Sequence, residues 1–159
     1  MGRVGQFIGH VRARVEAGEE SFARQVLPRT AWPLFAQMPV ADRRHAIDVA
    51  QRLLAAGRDD PDLLAAALLH DAAKGYRMRL WHRVGGVLLA AAAPWLLRRL
   101  ASPDPGSRGY PWHLYLHHAA LSADAATVAG CSPRTAAFIR GDAADRDAQA
   151  ALDAADEAG

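Results

Sequence analysis

Five consecutive residues, His70-Asp71-Ala72-Ala73-Lys74, hold the densest chemistry in the chain. On a helix turning about 100° per residue, Asp71 lies about 100° from His70 and Lys74 about 40° from it, so the three share one face. An imidazole and a carboxylate side by side can both reach one hard divalent ion, and a lysine one turn on can neutralise a phosphate. The run before them, Leu63 to Leu69, holds only Leu and Ala. An apolar helix ending in three ionisable groups is costly unless they pair with one another or bind a cation. The plainer alternative is an ordinary Asp–Lys pair at a partly exposed helix end. Lys74 is also the one lysine against 18 arginines. Lysine is a compact point charge and arginine a planar fork, so a crowded metal–phosphate site favours the former.

Helices must position these residues, and the composition supplies helices. The 159 residues include 36 Ala and 18 Leu against 9 Val, 3 Ile and 3 Thr. Scarce β-branched residues and abundant helix formers argue for an all-α fold and against a sandwich or barrel. The length fits one domain, since domains run to roughly 100–200 residues. The pattern predicts helices over Gln6–Ala17 and Glu19–Val26, followed by a short aromatic-bearing segment at Thr30–Gln37. A strong helix follows from Asp42 to Ala56, closed by Gly57. Asp60-Pro61 caps the next, which is expected to reach Lys74. One long helix is expected over Arg77–Leu100, bent near Pro94. After a loop at Ser102–Gly109, the pattern gives segments Pro111–His118 and Ala119–Ala129. A short helix capped by Ser132-Pro133 then reaches Arg140, and a last one runs from Arg146 to the end. Residues 1–40 read as a helical lead-in packed on a domain formed by residues 41–159.

The other histidines differ in promise. His45 sits at the edge of the stripe Ala46, Ile47, Ala50, Leu53 and Leu54, where a satisfied core histidine is the plainer reading. Helix register decides whether it meets His70, and the sequence leaves that open. His113 and His117 stand four apart but lack the Glu of a zinc protease, so they read as packing or phosphate contacts. His10 and His82 belong to no constellation and are expected at the surface. Arg77, Arg79 and Arg83 either clamp a phosphate or solvate a helix face.

The set His45, His70-Asp71 and Asp156 resembles the HD-domain superfamily of metal-dependent phosphohydrolases. That resemblance covers roughly Asp42 to Gly159 and implies an all-α, HD-domain-like bundle. It implies a divalent metal (Mn, Fe, Mg, Co or Ni) held by His45, His70, Asp71 and Asp156, with Lys74 and Asp71 in catalytic roles. It further implies a small phosphorylated substrate, such as a nucleotide or related phosphoester. Lys74 matches a lysine that often follows the pair, with Ala73 for the usual glycine. His118-Ala119-Ala120-Leu121-Ser122 is similar to a histidine-led helix of the two-metal members. A second metal or a phosphate would therefore be met by His118, Asp142 and His117. Where those members carry a His-His pair, Asp142-Ala143 stands here. A carboxylate can ligate and an alanine cannot, which favours one metal or a weak second one. A chain of this family that binds without turnover is the alternative reading. Gly109-Tyr110-Pro111 is similar to a motif of one subfamily but precedes His118, so it reads as a turn opening a helix.

Several classes are excluded or demoted. A net charge of +2, with the arginines dispersed among 17 acids, is too mild to point to nucleic acid. Cys131 is alone, so no disulfide framework forms within the chain, and a reducing, cytoplasmic setting is expected. Met1–Leu27 lacks the apolar run of a secretory signal. The Ala/Arg bias resembles a GC-rich bacterial coding sequence. The longest apolar run, Val84–Leu97, falls short of the roughly 20 residues of a spanning helix. Arginines bracket it, so it reads as a core helix, with a membrane-surface contact as the minor alternative.

Overall fold

A computed structural model describes residues 15–158, and these form nine helices with no strand among them. The all-α expectation holds. The expected helix over Gln6–Ala17 and His10 lie almost wholly outside the described residues. The helices are α1 (Ala17–Val26), α2 (Trp32–Ala36), α3 (Val40–Ala55), α4 (Pro61–Leu69) and α5 (Leu80–Ala92). They continue as α6 (Pro94–Leu100), α7 (Tyr110–Val128), α8 (Pro133–Arg140) and α9 (Arg146–Glu157).

The centre of the molecule is α4. Every residue from Leu63 to Leu69 is buried, and α1, α2, α3, α7, α8 and α9 all pack against it. An apolar helix covered on all sides needs no polar face. Its start is fixed by Asp60, whose Oδ1 accepts from Asp62 N at 2.9 Å and Leu63 N at 3.2 Å. Gly57, at φ +74°, reverses the chain out of α3 and lets Arg58 N donate to Leu53 O. The cap that starts α8 is tied to the same place, because Ser132 Oγ donates to Asp62 Oδ1 at 2.6 Å while accepting from Thr135 N.

Three boundaries depart from the sequence expectation. Helix α4 stops at Leu69 rather than Lys74, and His70 to Arg77 form turns. In a continued helix Ala73 N would donate to Leu69 O. It donates instead to Ser122 Oγ of α7 at 3.0 Å, while Ala72 N takes Leu69 O. The long helix expected over Arg77–Leu100 is two helices. Ala93, at φ −150° and ψ 65°, separates them, because Pro94 lacks an N–H and holds the residue before it out of the helical region. The two segments expected after Pro111 are one continuous helix, α7, with no Gly or Pro between His113 and Val128 to break it.

Helices α5 and α6 lie outside the main core and pack on α7 and on each other. Gly86 allows the approach, since a Cβ there would stand 2.5 Å from the Tyr115 ring. No helix among the described residues is long and apolar enough to cross a membrane.

Candidate metal centre

Three segments far apart in sequence bring donors to one end of α4. His45 comes from the first half of α3, His70 from the turn that ends α4, and Asp156 from the last turn of α9. One donor atom from each lies within 4.8 Å of the others. Ligands about 2.2 Å from a common ion stand at most about 4.4 Å apart, so the three donors are at or near the spacing that one ion requires. His45 Nε2 donates to Asp156 Oδ1 at 2.7 Å, and His70 Nε2 lies 3.4 Å from the same oxygen. Helix α9 is held against α3 where it matters, because Arg52 donates to Ala155 O at 3.1 Å.

The second carboxylate, Asp71, is 3% exposed and faces the same space, its Oδ1 3.7 Å from His70 Nε2. Lys74 Nζ stands 2.6 Å from this carboxylate. His118, on α7, completes the rim with Nε2 3.9 Å from Asp71 Oδ1. The sequence-adjacent trio His70, Asp71 and Lys74 therefore stays together although the helix beneath it ends early.

Two observations test whether these residues fit a cation. First, His70 Nδ1 donates to Ala67 O at 2.9 Å and His118 Nδ1 to Tyr115 O at 3.0 Å. A carbonyl only accepts, so Nδ1 carries a proton in each, and Nε2 is the nitrogen left to serve a metal once it has lost its own proton. Second, His70 Nε2 and Asp71 Oδ1 are fully buried and neither makes a well-formed hydrogen bond, although Lys74 Nζ ion-pairs with that oxygen at 2.6 Å. Buried polar atoms without such a bond are rare because burial costs each its hydration. Two of them side by side, one imidazole and one carboxylate, fit a divalent cation.

The electrostatics follow from this crowding. Burial acts to raise the Asp71 carboxyl, but the charges of His70 and Lys74 outweigh it and lower it to about 2. Burial acts the same way on Asp156, but the hydrogen bond from His45 and the nearby His70 imidazole hold that carboxyl well below its ordinary value. On His70 burial lowers and the charges of Asp71 and Asp156 raise, with a net rise. Burial, aided by Lys74, lowers His118.

A cleft of about 220 Å³ opens beside the centre, lined by His70, His118, Arg140, Gln149, Asp153 and Asp156 among others. Asp142 is exposed and is not among the lining residues, and Ala143 is buried. His117 is exposed and leans on His113, with ring centroids 4.6 Å apart. The structure thus brings His45, His70, Asp71, Lys74, His118 and Asp156 together and leaves Asp142 and His117 outside. His82, expected at the surface, is buried. It starts α5 by accepting from Arg79 N at 3.1 Å and lies against Trp81 and Trp112. Arg83 is structural, since its guanidinium meets both oxygens of the buried Asp42 at 2.7 and 2.8 Å.

Two contributors escaped the sequence reading. Ser122 positions the His70–Lys74 turn, and no pattern in one sequence signals a tertiary acceptor of that kind. Gln149 lines the cleft with a buried, unpartnered Oε1 while its Nε2 donates to Asp153. Its signal was present: Gln149, Asp153 and Asp156 recur at i, i+4 and i+7, which is one helix face. No protein-family model, curated protein or solved structure matches the chain.

Proposed function

We propose that the chain is a metal-dependent phosphohydrolase of the HD-domain type, acting on a small phosphoester. The observation that carries this reading is the convergence of His45, His70 and Asp156 beside two buried atoms that make no well-formed hydrogen bond, His70 Nε2 and Asp71 Oδ1. His45, His70, Asp156 and Asp71 would hold one divalent cation, and mixed imidazole–carboxylate donors suit Mn, Fe, Co or Ni better than Mg. The cation would supply Lewis-acid polarisation of the phosphoryl group and a lowered pKa for a water nucleophile.

The chain's own groups divide the remaining work. Asp71, with its carboxyl at about 2, is too weak a base to take a proton at neutral pH, so it serves as a ligand and fixed charge. His118 has a lowered pKa and an Nε2 free to accept, which makes it the better proton acceptor. Lys74 offsets charge on the phosphoryl oxygens from its place beside Asp71. Arg140 lines the same cleft and extends the positive rim.

The second reading, a domain that binds a phosphorylated ligand without turnover, is favoured by one observation. Asp142 and His117 lie outside the cleft, so a two-metal site of this kind lacks its second set of ligands. Metal analysis of the purified protein, followed by a phosphoester panel, separates the two. The enzyme reading expects bound or loadable Mn, Fe, Co or Ni, with turnover lost in His70→Ala and Asp71→Ala. Metal without turnover on any ester supports the second reading, and a chain that takes up none of these ions sinks both.

A further inference from the structure

The stretch from Ala72 to Pro103 contains six basic residues and no acidic one, although the chain carries 17 acids. The same stretch forms the turn after α4 and the outlying pair α5 and α6. It also holds most of the large apolar side chains that face solvent. Trp81 is 59% exposed, Leu88 63% and Trp95 64%. Trp81, Val84 and Leu88 recur at i, i+3 and i+7, one exposed stripe on α5, while Gly86, about 140° round the helix from Trp81, meets Tyr115 of α7. Large apolar side chains clustered on one face that no described residue covers mark an interaction surface.

The charges say what kind. Arg43, Arg44, Arg83, Arg134 and Arg140 all meet carboxylates. Among the described residues, Arg77, Arg79, Arg98, Arg99 and Arg108 meet none within ion-pair distance; Arg24, Arg29, Arg52, Arg58 and Arg146 meet none either, but only the first five lie on or beside the exposed apolar face. Arg98 and Arg99 end α6 beside exposed Leu100. Arg77, Arg79 and Arg108 line a cleft of about 440 Å³ whose wall includes Tyr76 and Trp81, so the cleft borders the apolar stripe. Tyr76 and Arg77 also line the neighbouring cleft that reaches Lys74.

We propose that α5 and α6 form an interfacial docking face for a bilayer containing anionic phospholipid, with Arg77, Arg79 and Arg108 receiving headgroup phosphate. A helix with an apolar stripe, tryptophans at its margin and arginines around it lies in the plane of the headgroups. Anionic lipid supplies what both parts of the face lack: hydrocarbon for Trp81, Leu88 and Trp95, and negative charge for the unpaired arginines. A second copy of the chain docked through the same face would set arginine against arginine. The inference stands apart from any turnover at the metal centre.

Vesicle co-sedimentation in the presence of a chelator tests it, comparing phosphatidylcholine alone with phosphatidylcholine plus phosphatidylglycerol. The expected result is binding to the anionic vesicles, weak binding to the neutral ones, loss with added salt and a blue shift of tryptophan fluorescence. One arginine near an anionic surface is worth roughly fivefold in partitioning. Arg98→Glu combined with Arg99→Glu therefore lowers binding at least about 25-fold. Leu88→Asp, also at an exposed position, lowers it while leaving the thermal midpoint unchanged. His70→Ala binds vesicles like the parent, which separates this inference from the metal centre. Failure to bind anionic vesicles at low salt, equal binding to both vesicle types, or full binding by Leu88→Asp overturns the proposal. So does a dimer in light scattering that Leu88→Asp dissociates without any vesicle binding, which would assign the face to self-association.

Discussion

Replacing Asp71 by Asn removes one charge from the middle of the cluster and leaves the shape nearly unchanged. In the metal-free protein Asp71 is 3% exposed and ion-paired with Lys74 at 2.6 Å. Its carboxyl lies at about 2 against an ordinary 3.8. At about 1.36 kcal/mol per pH unit, the folded state favours the charged form by roughly 2.5 kcal/mol. The sign follows from the direction of the shift. A depressed folded-state value contributes stability above pH 3.8, and that contribution is lost as pH falls from 3.8 toward about 2. Asp71→Asn is therefore expected to be less stable than the parent by roughly 2.5 kcal/mol at pH 7, a drop in Tm of about 5–10 °C for a chain of this size. The gap closes near pH 2. Urea unfolding in chelator across this range measures it. A metal-free variant as stable as the parent at pH 7, or a gap that persists undiminished at low pH, refutes the pairing argument. The same protein then reports on the centre. A cation at one hundred times its Kd stabilises the parent by about 2.7 kcal/mol, and the Asn variant is expected to keep only a small part of that gain.

Four further outcomes follow from the same geometry. His70→Ala removes the best-oriented imidazole and should abolish the Mn- or Co-induced rise in Tm, read by differential scanning calorimetry. Ser122→Ala leaves Ala73 N without its buried acceptor and should cost about 1–3 kcal/mol in chemical denaturation while weakening metal uptake in calorimetric titration. Lys74→Arg should impair turnover in a phosphoester assay, because a larger planar fork that pairs both Asp71 oxygens does not reproduce the compact point charge of the ammonium beside it; a fully active Arg variant would make the lone lysine an accident of coding bias. Since burial lowers the pKa of His118, activity should persist below pH 6.5 and fall only as its Nε2 takes a proton, and His118→Gln should remove that acidic limb from the pH–rate profile.

Much of the helical framework was legible before any coordinates. Asp60-Pro61, Ser132-Pro133 and Gly57 cap the helices they were expected to cap. The Leu/Ala run of α4 is the buried centre that its lack of a polar face demands. These features are local: a side chain that accepts from an N–H two or three residues on, or a run of apolar residues, is written in adjacent positions. The splitting of α5 from α6 was half legible, because Pro94 announced a disturbance but not its size. The early end of α4 was not legible, because the competing acceptor, Ser122, lies 49 residues away.

The residue types of the candidate centre were likewise readable, and so was the proximity of His70, Asp71 and Lys74, which five consecutive positions nearly guarantee. The sequence could not say that His45 faces His70, since that depends on how far α3 slides along α4. Nor could it say that Asp156, 111 residues from His45, returns to the same point. Those contacts rest on α4 being covered on every side, on Gly57 turning the chain at one point, and on Arg52 holding Ala155 of α9 to α3. His117 is turned away from the centre by local geometry, since it stands about 100° round α7 from His118. Adjacent residues fix helix starts, stops and faces, whereas the register between helices is set by the whole core, and the metal-binding geometry belongs to the register.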